Sequence, residues 1–192
     1  MENKKSKREV ILQAATKVFS TKGYHNTRMD EIAIEAEIGK STIYEYFNSK
    51  LQLFQEMMEA SFQIYAQKMM KNRTEDLSFE EKFLLLIEGH IQFCKENKEL
   101  TRIVFWDTEI IDEDLKEWSY VMRKIRQDKM FEIVQTAIDQ GELKPIDPKL
   151  FTFIMTGIIA SLWTPITLED WDVDAGQLAV EITDIIMNGI KA

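Results

Sequence analysis

The chain has 192 residues, 45% apolar and 30% charged, enough apolar material for one large or two small cores and too much for a disordered chain. Its net charge of −9 excludes a protein that coats nucleic acid with its whole surface, and its one cysteine, Cys94, excludes an internal disulfide and fits a reducing cytosol. The charge is uneven: residues 1–50 hold nine Lys/Arg against seven acids, a net +2, so with a total of −9 the remainder carries −11. An acidic body with a basic amino end favours a single docking pose on a polyanion.

In chain order, a polar arm, Met1–Lys5, precedes a helix predicted over Ser6–Lys22. Ser6-x-x-Glu9 caps it, and Val10, Ile11, Ala14, Ala15, Val18 and Phe19 form its apolar stripe. Gly23 stops it. Thr27-x-x-Asp30 reads as the capping box of a two-turn helix with Ile32, Ala33 and Ala36 inside, which Glu37-Ile38-Gly39 breaks. A second short helix follows from Lys40 to Phe47. There Ile43 and Phe47 point inward, while Ser41, Tyr44 and Glu45 face away, flanked by Thr42 and tipped by Lys40.

Ser49-x-x-Gln52 opens a long helix from Lys50 to about Asn72, with Leu53, Met57, Ala60, Ile64 and Met69 on one side. Ser78-x-x-Glu81 opens another to about Asn97, and a shorter one covers Lys98–Thr108. A long helix from about Asp114 to Gln140 has Leu115, Trp118, Val121, Met122, Ile125, Met130, Ile133, Val134, Ala137 and Ile138 assigned to its buried side, with Gly141 as its stop. Asp147-Pro148 opens a helix whose stretch Leu150–Leu168 carries no charge and which Pro165 closes. The stretch has the length of a bilayer span, but its threonines, Ser161 and Pro165 argue for a helix buried on two sides by protein. Asp174 caps a final helix to about Gly189. No apolar leader follows Met1–Arg8. The expected fold is all-α, about nine helices: a three-helix helix-turn-helix domain over 1–50 and a helical bundle with dimerisation helices over 51–192.

A short helix held against another by Ala and Ile, and showing hydroxyls and an amine outward, has the dimensions and donors to enter a DNA major groove. A polar outer face is also what any solvated helical hairpin presents. Residues Ile11–Phe54 resemble the N-terminal DNA-binding domain of the TetR family of bacterial transcriptional regulators, through Ala14-Ala15, Phe19, Gly23-Tyr24, Thr27, Ile32-Ala33, Ala36, Thr42-Ile43-Tyr44, Tyr46-Phe47 and Ser49-Lys50. The family usually has Gly where this chain has Glu37, and Gly or another small residue at Ser41. Glu37 must therefore tolerate a turn conformation unfavourable for a residue with a side chain.

The resemblance implies a homodimeric regulator, most simply a repressor, that binds a palindromic operator in double-stranded DNA and is released by a small apolar or amphipathic effector. The expected DNA contacts are Lys40, Ser41, Thr42 and Glu45 toward base edges, and Thr27, Tyr44, Tyr46 and Lys50 toward phosphates, with Arg28 beside them. The family's inducer pocket would be lined by Phe62, Tyr65, His90, Phe93, Phe105, Trp106, Trp118, Met122 and Trp163, although core packing accounts for each singly. Dimerisation falls to the last two helices, through Ile154, Gly157, Ile158, Ser161, Leu178, Ile182, Ile185 and Ile186, with a thick-cored monomer as the alternative. The sequence shows no catalytic constellation, no metal-ligand spacing and no cofactor motif. The expectation is a cytoplasmic non-enzyme, and the competing reading is a ligand-carrying or protein-binding helical module that does not bind DNA.

Overall fold

A computed structural model of the chain describes residues 6–70, 76–105 and 113–189. Those residues form nine helices and no strand: α1 Lys7–Asn26, α2 Met29–Glu35, α3 Lys40–Tyr46, α4 Lys50–Met70, α5 Phe79–Glu96, α6 Lys98–Phe105, α7 Glu113–Asp139, α8 Pro148–Thr167 and α9 Ala175–Asn188. The all-helical expectation holds. The expected arm Met1–Lys5, most of the polar break after α4, Trp106 and the end of its helix lie outside the described residues.

The helix starts follow the local chemistry. Ser6 and Ser78 each close a reciprocal capping box with Glu9 and Glu81, and Asp147 and Asp174 accept from the first amides of α8 and α9. At α2 the expected cap is displaced. Thr27 is buried and its hydroxyl donates back to the Gly23 carbonyl at 2.8 Å, so the helix starts at Met29 and the Glu31 carboxylate accepts from the Arg28 N–H at 2.9 Å. An acceptor one position past Asp30 stands at N3 of a helix whose N-cap is Arg28, which is why the register moves by one. Nor does Pro165 end α8. It sits in the last turn, which continues because Ile166 and Thr167 are buried behind it.

Two large apolar cores and a small third one, of Met69, Leu86 and Phe93 with Tyr65 packed against it, divide the described residues. The first joins Ile11, Ala15 and Phe19 of α1 to Ile32, Ile43 and Phe47 of the hairpin, and extends into Leu53, Phe54, Met57 and Met58 of α4, with Ile103 of α6 and Leu115 of α7 closing it. The second packs Phe83, Ile87, Ile91 and Cys94 of α5 between Val134 and Ala137 of α7, Phe151, Met155 and Leu162 of α8 and Ala179 of α9. Helix α6 touches α1 on one side and α8 on the other, and so bridges the amino-terminal unit and the body. The buried face of α4 narrows beyond Ser61 to Tyr65 and Met69, leaving Ile64 exposed, contrary to expectation. On α7, Val121, Ile125 and Ile133 are also exposed, because ten apolar positions wrap far beyond the roughly 100° that one partner face can cover.

Helix α8 has one face open within its own chain. It is long and apolar enough to cross a bilayer, yet only 33% of its most apolar window is buried within the chain. Phe151, Thr152, Met155 and Leu162 face the core, while Leu150, Phe153, Ile154, Gly157, Ala160 and Ser161 form an exposed stripe. Its own chain covers it on one side, and the open side carries Ile154, Gly157 and Ser161 of the expected dimer face.

Candidate nucleic-acid interface

The turn between α2 and α3 fixes what α3 can show. Ile38 N–H donates to the Ala33 carbonyl and Glu37 N–H to the Ile34 carbonyl, both at 3.0 Å, a Schellman ending that puts Glu37 at φ +54. The strain anticipated at this non-glycine position is present. Helix α3 then plugs Ile43 and Phe47, both fully buried, into the first core. That anchor turns the opposite face outward: Lys40, Ser41 and Glu45 are exposed, Tyr44 is 46% exposed, and Thr42 is half-buried at the edge.

The remaining residues assigned to DNA divide into two groups. Arg28 is exposed beside the α2 start. Thr27 is 1% exposed, and Tyr46 is half-buried against the first core. Lys50 turns back into the protein, its Nζ 2.9 Å from the Tyr24 carbonyl, 3.1 Å from that of Thr27 and 3.4 Å from that of His25. The side chains of Thr27 and Lys50 thus both bond backbone carbonyls of the 23–27 segment. The sequence signal for this lay in Gly23-Tyr24, where a positive-φ glycine makes a hook whose carbonyls need a donor.

Four basic residues, Arg8, Lys17, Lys22 and Lys40, pair with carboxylates. Lys17 meets Glu35 at 2.5 Å, Lys22 meets Glu31 and Lys40 meets Asp30 at 2.7 Å, and Arg8 pairs with Glu56. The bonds to Glu35 and Asp30 raise the Lys17 and Lys40 ammonium pKa values, and the bond from Lys22 lowers that of Glu31.

In the body, the structure gathers part of the expected pocket. The Tyr65 ring meets Phe93 at 5.0 Å and Phe105 at 5.5 Å, both edge-on, and His90 stacks its edge on Phe105 at 5.0 Å. His90 is fully buried, and desolvation pulls its pKa down to about 4, so it is neutral at pH 7. Its Nδ1 lies 3.1 Å from the Tyr65 hydroxyl and its Nε2 3.6 Å from Cys94 Sγ, which makes it a satisfied interior histidine. Phe62 and Trp118 pack instead against the first core, Trp163 against the second, and Met122 is half-buried on α7. These four do not join Tyr65 and His90 in one cluster, because side chains on one helix face still divide between two cores. The Arg126 guanidinium covers the Phe62 ring at 4.1 Å. A separate cleft of 290 Å³, lined by Phe79, Leu143, Phe151 and Ile186 together with Glu142 and Lys144, contains none of the residues expected to line the effector pocket. No cluster of metal-ligating side chains occurs among the described residues.

A three-helix reading head with a core-anchored, outward-facing short helix, carried on an all-helical body, defines a DNA-binding regulator of the helix-turn-helix class. The chain belongs to the tetR family of bacterial regulatory proteins, whose model matches residues 11–57, while the model of the tetracyclin repressor-like C-terminal domain matches residues 76–190. It is 29% identical over 166 residues to the uncharacterized HTH-type transcriptional regulator YhgD of Bacillus subtilis, covering 86% of this chain and 84% of that one. It is 23% identical over 191 residues to the fatty acid metabolism regulator protein of the same organism, covering 99% and 98%. Its fold matches the crystal structure of the transcriptional regulator FadR from Bacillus subtilis in complex with stearoyl-CoA, with a TM-score of 0.82, 23% identity, and 95% and 99% coverage.

Proposed function

We propose that the protein is a homodimeric cytoplasmic repressor, without enzymatic activity, that leaves its operator when it binds an acyl thioester of coenzyme A. The observation that carries the DNA half is the face of α3: Ser41, Tyr44 and Glu45 stand free of the protein because Ile43 and Phe47 lock the opposite side. Ser41, Thr42 and Glu45 read base edges, with Glu45 accepting from cytosine N4. Lys40 joins them once it leaves Asp30, and Tyr44, Tyr46 and Arg28 hold the backbone. The dimer reading is supported by the exposed stripe of α8, with Leu150 at 59%, Phe153 at 50% and Ile154 at 43%, beside Ile185 of α9. Gly157 and Ser161, both exposed in that stripe, let a second copy approach closely.

The effector class follows from the likeness to the fatty acid metabolism regulator and from the aromatic cluster of Tyr65, Phe93 and Phe105, which suits an acyl chain. Selection of duplexes from a random library, followed by competition with stearoyl-CoA, tests both halves. The expected result is one palindromic consensus, abandoned on addition of the thioester. Failure to enrich any duplex removes the DNA half, and binding indifferent to stearoyl-CoA removes the effector. Glu45→Ala should relax the consensus at one base pair of each half-site and leave the others intact.

A further inference from the structure

The inward stripe of α7 is interrupted at its middle. Leu115 and Ser119 before the break, and Val134 and Ala137 after it, are buried. Arg126 stands on the same stripe, two turns past Ser119 and two before Val134. Its exposed side chain turns toward α4, where the guanidinium lies 4.1 Å from the centroid of the Phe62 ring. One turn further along α4 is Tyr65, the first ring of the cluster with Phe93, Phe105 and His90. Among the described residues, α4 and α7 lack the close backbone packing that joins α7 to α8, so side chains span this seam.

A guanidinium on an inward stripe calls for a carboxylate, and Arg126 has none among the described residues. Burial lowers its pKa, and the charge of Arg123 lowers it further. The surroundings are cationic as well. Residues 116–129 hold five Lys/Arg, all exposed, against two acids, a net +3 within a body, residues 51–192, that carries −11. This stretch draws an anion that the rest of the body repels. A guanidinium lying on a ring keeps its N–H edges free, and those edges match the oxygens of a phosphate two at a time. We propose that this part of α7 receives the phosphate end of the effector. Arg126 makes the principal contact and Arg123 assists it, while the acyl chain runs inward toward Tyr65, Phe93 and Phe105. The proposal rests on the acyl-thioester reading and makes Arg126 the residue that tells coenzyme A from an uncharged carrier of the same chain.

The experiment is calorimetry on the full-length protein without DNA, below the micelle-forming concentration of each probe. The probes are stearoyl-CoA, stearate and S-stearoyl-pantetheine, which keeps the acyl thioester and lacks every phosphate. Wild type should bind stearoyl-CoA about ten-fold or more tightly than the pantetheine thioester, and added salt should narrow that gap. Arg126→Gln should remove most of the preference by weakening stearoyl-CoA alone. Loss of packing over Phe62 would instead weaken both thioesters alike. Arg126→Lys, which keeps the charge, should recover part of the preference. Arg123→Gln should give a smaller loss of the same kind, and it carries the test if Arg126→Gln unfolds. An equal loss for both thioesters overturns the proposal, and so does stearoyl-CoA binding that neither glutamine variant alters. Stearate bound by wild type as tightly as stearoyl-CoA also overturns it, because a carboxylate then takes the place assigned to phosphate. If wild type binds stearoyl-CoA not at all, the acyl-thioester reading itself fails and this proposal falls with it.

Discussion

The Tyr65 hydroxyl lies 3.1 Å from Nδ1 of His90, joining α4 to α5 inside the body. Burial holds the His90 pKa at about 4 in the folded protein, against 6.5 when unfolded. Between those values the unfolded chain takes up a proton that the folded chain refuses, so the contribution is complete above 6.5 and is lost as pH falls. Urea unfolding at pH 7 and pH 5 should show wild type losing about 2 kcal/mol more than His90→Gln over that interval. Equal losses would place the histidine in contact with water.

Glu37 is held at φ +54 by the ending of α2, and its side chain is exposed. Replacing it with glycine relieves left-handed strain of about 1–2 kcal/mol and adds back part of that as unfolded-chain entropy. Glu37→Gly should therefore stabilise the protein by roughly 0.5–1 kcal/mol in denaturant titration. A destabilised variant would mean that the Glu37 side chain makes a contact worth more than the strain.

Ile43 has no exposure and no room to relax between α1 and α2. Truncation to alanine should lower stability by about 3 kcal/mol, and Ile43→Val by about 1 kcal/mol. If the outward face of α3 depends on this anchor, operator affinity falls for Ile43→Ala even at temperatures where the protein remains folded by circular dichroism.

Phe153 and Ile154 lie side by side on the open face of α8. Ile154→Asp places a carboxylate at the proposed two-fold contact, where its desolvation opposes association. Light scattering should give twice the chain mass of 22.6 kDa for wild type and the single value for the variant. A wild-type monomer would instead leave the stripe without its proposed partner.

Much of this architecture is legible in the sequence because local rules determine it. The capping boxes at Ser6 and Ser78, the N-cap at Asp174, the stop at Gly141 and the anchor pair Ile43 and Phe47 all depend on residues within one or two turns. The strain at Glu37 is readable for the same reason. What escapes is non-local. Lys50 reaches carbonyls twenty-three to twenty-six positions earlier, so the spacing around it carries no sign that its ammonium faces inward. Val121 and Ile125 satisfy helical periodicity but sit where α7 has no neighbour. The wide apolar set of Phe62, Tyr65, Trp118 and Trp163 divides among cores that only tertiary packing separates.

The ion pairs of the reading head bear on how it searches. Lys17, Lys22 and Lys40 reach a duplex already neutralised by Glu35, Glu31 and Asp30, so a stretch offering nothing but phosphate must displace a carboxylate to hold them. Under the proposed operator binding, fewer counterions would then be released at random sites, and discrimination would rest more on base edges than on phosphate.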